Sequence, residues 1–140
     1  MAVVIGESEV MPLLRAACPS FEERWRAHVS STVYEEGLLY LDLAELAHHL
    51  VELMRAGTTT ELPAVFEVIE RLHLDGTDAV KEAATIGLLE DLQNLAQQAG
   101  LDVDRFAAFL KPESSRWWAE VAAFWRGEIP YVGAGLKPSD

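Results

Sequence analysis

The sequence predicts an all-α fold of about seven helices in antiparallel hairpins, and three observations carry that prediction. Apolar residues recur at helical spacing over long stretches, as in Leu39, Leu43, Leu46, Leu50, Leu53 and Met54. This is the period of a helix with one buried face. Glycine, proline and short polar residues interrupt those stretches where helices should start and stop. No run alternates β-branched and polar residues with period two, so nothing reads as a half-buried strand.

The first helix is expected from Ser8 to Ala17, with Pro12 near its start and Pro19 beyond its end. Ser20 and Glu23 have capping-box spacing and open a second helix through about Val33, with Phe21, Trp25, His28 or Val29, and Thr32 inward. The longest helix runs from Leu38 to Ala56 and stops at Gly57. After the loop Thr58-Thr59-Thr60, Pro63 lies in the first turn of a helix that turns Val65, Phe66, Ile69 and Leu72 inward and ends at Asp75-Gly76.

Asp78 is the expected cap of the next helix, which reaches Gln98. Its middle, Ala83 to Leu89, is apolar nearly all round and therefore predicted central, with Gly87 allowing a neighbour to approach closely. Gly100 ends it, and Asp102 starts a short helix through Leu110. Pro112-Glu113 opens the last helix, with Trp117, Val121 and Phe124 or Trp125 inward and Trp118 toward the surface. Residues 1–127 read as a single helical domain and 128–140 as an extended tail. The short connections fit either a helical bundle or a short HEAT-like α-α stack, the second slightly preferred. Asp78-x-Val80-Lys81-Glu82-Ala83-Ala84 resembles one helix of a HEAT-type repeat, but no second copy occurs at a fixed period.

At 140 residues the chain is long enough for one ordinary core. Asp and Glu number 23 against 11 Lys and Arg, for a formal charge of -12. Such a field repels nucleic-acid phosphates and speeds the approach of a basic protein partner. The single cysteine, Cys18, leaves no disulfide framework and no Cys-based zinc site, and fits a reducing compartment. No basic leader and no long uncharged apolar run is present, so the expected location is cytoplasmic and away from membranes.

The sharpest suggestion of chemistry is a pair of Glu-x-x-His spacings, Glu45 with His48 and Glu70 with His73. Residues three apart share a helix face, and two such pairs can hold a di-iron centre. That site needs two more glutamates on long helices, so no metal or other cofactor is expected. The competing reading leaves His48 and His49 flanking the core and His73 at a helix C-terminus, where a cation is favoured. Cys18 has no basic neighbour in sequence to activate it, and Gly133-Ala134-Gly135 neither follows a strand nor opens a helix. The chain is therefore expected to bind a protein and not to be an enzyme. The expected interface is the polar end of the central helix, Glu82, Glu90, Asp91, Gln93 and Asn94, with Trp118 as anchor.

The run Val80-Lys81-Glu82-Ala83-Ala84-Thr85-Ile86-Gly87-Leu88-Leu89-Glu90-Asp91-Leu92-Gln93-Asn94, preceded by Leu72-His73-x-x-Gly76, resembles a group of small acidic all-helical bacterial proteins. Cys18-Pro19-Ser20-Phe21 and Pro112-Glu113-Ser114-Ser115-Arg116-Trp117-Trp118 carry the same likeness. The resemblance implies an immunity protein that binds and neutralises a cognate bacterial toxin, and the acidity of the chain independently points to a basic toxin surface. A helical adaptor or regulatory scaffold is the alternative, and a metal-dependent enzyme built on Glu45, His48, Glu70 and His73 is the third reading.

Overall fold

The structure is a computed structural model, and it describes residues 4–134. The described chain is all-α, as expected, with one short bridge between Ile5 and Gly76 as its only β-type pairing. Helix α1 spans Glu7–Ala17, with Glu7 and Glu9 at its positive N-terminal end and the Glu9 carboxylate accepting the Gly6 N–H at 3.2 Å.

The Ser20 capping box does not form. Ser20 lies inside a 3-10 turn, Pro19–Phe21, and its hydroxyl bonds sideways to Glu61 and to His49. Helix α2 then covers only Glu22–Val29 and buries no residue completely. The apolar stripe explains the early stop: Phe21 is buried and Trp25 half-buried, whereas Thr32 and Val33 stand in solvent.

Helix α3, Leu39–Ala56, buries Leu43, Leu46, Leu50 and Met54 and closes at Gly57, whose φ of 75° lets Thr58 N–H reach Leu53 O at 2.9 Å. Helix α4, Leu62–Asp75, buries Val65, Phe66, Ile69 and Leu72. Both inward stripes follow the sequence period.

The central rod comprises α5 (Asp78–Glu82), a π-helical turn (Ala83–Leu89) and α6 (Glu90–Gln98). Its cap is Thr77 and not Asp78, since the Thr77 hydroxyl accepts the Val80 N–H at 3.2 Å. Within the wide turn, Glu90 N–H bonds to Thr85 O, five residues back. The rod packs on α3, where a Cβ on Gly87 would lie 2.9 Å from Tyr40 Cδ1. The close neighbour expected at Gly87 is thus α3.

Helix α7 is a single turn, Asp104–Ala107, shorter than its sequence pattern suggests. Helix α8, Pro112–Trp125, packs on α4 and on the rod. Its N-terminus is capped from another helix, with both Glu70 oxygens accepting backbone N–H groups, from Glu113 at 2.9 Å and Ser114 at 2.8 Å. The inward stripe of α8 is Ser114, Trp118 and Val121, so Trp118 belongs to the core and not to the surface. Beyond Gly127, residues 128–134 turn back along α8 until Gly133 lies against Trp117. Residues 135–140 of the expected tail lie outside the described residues. No helix of the described residues is long and apolar enough to cross a membrane.

Candidate functional site

The π-helical turn decides which side chains face α8. In a regular helix, eight residues at about 100° each would leave Glu82 and Glu90 roughly 80° apart around the axis. A step of five residues instead of four absorbs one extra residue, rotating the downstream helix back by about 100° and closing that separation to roughly 20°. Glu82, Ile86 and Glu90 accordingly line one groove together.

The opposite wall is Trp117, Phe124 and Trp125 of α8, and the returning segment adds Tyr131 and Val132. The space between them is about 680 Å³. Trp125 is 57% exposed there, an unusual position for an indole with no core to fill. Asp78 joins Glu82 and Glu90 on the rim, Lys81 is the one cation among the lining residues, and among the described residues none of the three carboxylates has an ion-pair partner. Partial burial pushes the Glu90 carboxyl above its ordinary range, and the neighbouring charge of Asp91 adds to the effect.

The expected interface residues divide between two faces and the interior. Glu82 and Glu90 line the groove. Asp91 turns away from it; burial raises its carboxyl, and the charge of His48 on α3 opposes that rise. Asn94 is half-buried on α6. Gln93 is only 4% exposed, and its amide donates to Trp118 O at 3.0 Å. Trp118 is 7% exposed and packs against Phe106. Gln93 and Trp118 therefore hold α6 to α8, and neither is presented to a partner. The exposed indole is Trp125, which helical spacing alone offers to the core stripe as an alternative to Phe124.

The four residues of the metal reading do not converge. Glu45 pairs with Arg24 at 2.8 Å, His48 is exposed, and Glu70 caps α8. His73 is buried, with Nδ1 2.9 Å from Ile69 O and Nε2 2.9 Å from Thr85 Oγ1. Burial lowers its pKa, so it is the neutral ring and not the helix-terminal cation that the sequence suggests. Neutral His73 donates from Nδ1 to Ile69 O and offers Nε2 as an acceptor to the Thr85 hydroxyl, whose single proton is shared between Nε2 and Lys81 O. The same hydroxyl lies 3.1 Å from Lys81 O, within the rod's irregular stretch. Among the described residues no three His, Cys, Asp or Glu side chains are placed to share a metal.

A second polar cluster has no signature in the sequence. Ser20 Oγ lies 2.8 Å from His49 Nε2 and donates to Glu61, which also accepts the Ser20 N–H and the Cys18 thiol. A serine hydroxyl has one proton to give, and the Glu61 carboxylate takes it, so His49 is the donor to Ser20 and not its base. Burial pushes the Cys18 thiol up to about 11. The cluster consequently pins the 3-10 turn to α3 and α4 without an activated nucleophile. Its members lie 29 and 41 residues apart, beyond any local spacing rule.

No curated protein and no solved structure matches the chain. A family profile matches residues 11–126, from α1 through α8, and the chain belongs to that family, the domain of unknown function DUF7674.

Proposed function

We propose that this protein is a bacterial immunity or inhibitor protein that binds a cognate toxin domain with a basic surface, and that it acts by occupancy and not by catalysis. The observation that carries the reading is the groove between the rod and α8. Exposed aromatic surface and three carboxylates that form no ion pair among the described residues line one concave face there. Aromatic side chains supply contact area at little entropic cost, while the acids speed and orient the approach of a basic partner. A chain of net charge -12 adds a long-range attraction of the same sign. The sequence resemblance points to the same class of protein, and the engaged state of Glu70 and His73 removes the main support for a metal-dependent enzyme.

The test is affinity capture with the wild-type chain and with a Glu82→Lys, Glu90→Lys variant of unchanged helicity. The expected result is one stoichiometric partner with a basic effector domain, released by high salt and lost with the variant. Several unrelated partners retained by both proteins would favour an adaptor; a partner retained by the variant would remove the groove from the interface.

A further inference from the structure

The shape and charge of the groove define what the partner must place in it. We infer that the groove takes an arginine side chain of the partner, with its guanidinium on the Glu90 carboxylate and its plane and stem against Trp117 and Trp125. This rests on the groove being the partner-binding surface.

Charge complementarity sets the sign of the occupant. Glu82 and Glu90 line the same groove as the apolar rings, so a cation entering it finds carboxylates among the lining side chains and a single ammonium, that of Lys81. The groove that Glu90 lines is also lined by Trp117, Phe124, Trp125 and Tyr131, and aromatic rings select among cations. A guanidinium is planar, weakly hydrated and always charged, and it stacks on an indole while forking onto a carboxylate. An ammonium is more strongly hydrated and loses more on leaving water for an apolar groove. Lys81 already supplies an ammonium at the rim, yet it forms no ion pair with Glu82 or Glu90 among the described residues. Among the described residues the carboxylates of the groove thus keep their capacity to pair with an incoming cation. The raised carboxyl of Glu90 fits a site that is partly desolvated before its counter-ion arrives.

The test uses the full chain and three capped pentapeptides, acetyl-Gly-Leu-X-Leu-Gly-amide, with X as arginine, lysine or citrulline, the uncharged isostere of arginine. Binding is read from the indole N–H resonances of the four tryptophans, assigned with Trp25→Phe, Trp117→Phe and Trp125→Phe, which leave Trp118 by elimination. The arginine peptide is expected to shift the Trp117 and Trp125 signals saturably and to leave Trp118 in place. Citrulline should bind about tenfold more weakly, lysine should fall between them, and Glu90→Gln should reduce arginine to the citrulline level. Glu52→Gln, on an exposed carboxylate paired with Arg55, serves as the control and should change nothing. Equal binding of arginine and citrulline, tighter binding of lysine, full binding to Glu90→Gln or no binding at all would overturn the assignment. The captured partner separates this failure from failure of the functional reading. Peptides that fail while partner binding still depends on Glu82 and Glu90 refute arginine alone; peptides that bind while no partner needs the groove refute the inhibitor.

Discussion

Trp118 and Trp125, two turns apart on α8, should respond in opposite ways to truncation. Trp118 is 7% exposed, packs on Phe106 at a ring separation of 6.5 Å, and has its carbonyl bonded by Gln93. Replacing it with alanine removes most of an indole from a closed core. Substitutions of this kind cost about 3–5 kcal/mol, the transfer loss plus the cavity left behind. For a domain of this size, roughly 3–5 °C of melting temperature accompanies each kcal/mol, so Trp118→Ala should lower Tm by about 10–25 °C. Trp125 is 57% exposed and fills no interior, so Trp125→Ala should stay within about 0.5 kcal/mol of wild type. Urea denaturation followed by far-ultraviolet circular dichroism measures both. Wild-type stability for Trp118→Ala, or a loss of similar size for Trp125→Ala, would refute the assignment of one ring to the core and the other to the groove.

Other consequences arise from single contacts. Gly76 has an extended backbone that any residue can adopt, yet a Cβ there would lie 2.4 Å from Leu72 O and 2.5 Å from Val80 Cγ1. Gly76→Ala should therefore cost about 1–3 kcal/mol in chemical denaturation. Glu70→Ala leaves two N–H groups at the start of α8 without their acceptor and should cost a similar amount, about 1–3 kcal/mol at neutral pH. The Glu70 carboxyl is held below its ordinary 4.5 by those hydrogen bonds, against an opposing effect of burial. Its contribution is present above that value and disappears as pH falls through the depressed folded value, so wild type and Glu70→Ala should converge in acid. His73 is depressed below 6.5 by burial. Stability from its neutral form is present above 6.5 and is lost as pH falls through the folded value, so the Tm difference between pH 7 and pH 5 should be smaller in His73→Leu than in wild type.

The inward faces of α3 and α4 are legible in the sequence because every apolar residue at helical spacing points to the same core. The groove is legible only in part. Glu82 and Glu90 stand out as carboxylates flanking an apolar stretch, but the turn that aligns them is a hydrogen-bond shift invisible to a period of 3.6. On α8 nearly every candidate position is aromatic, so spacing cannot rank Trp117, Trp118 and Trp125; the choice is made by Ser114, small enough to sit fully buried where α8 is capped by Glu70. Glu70 and His73 look like a ligand pair because they share a helix face. Their separate partners, the start of α8 and Thr85, come from chain segments 43 and 12 residues away.

Inhibition through the groove is tested most directly by growth of cells expressing the captured partner's effector domain beside the wild-type chain or beside a Trp125→Ala, Glu90→Lys variant expressed at equal level. Rescue by wild type and not by the variant is the predicted result. Rescue by both, with the variant folded and the effector active, would contradict it.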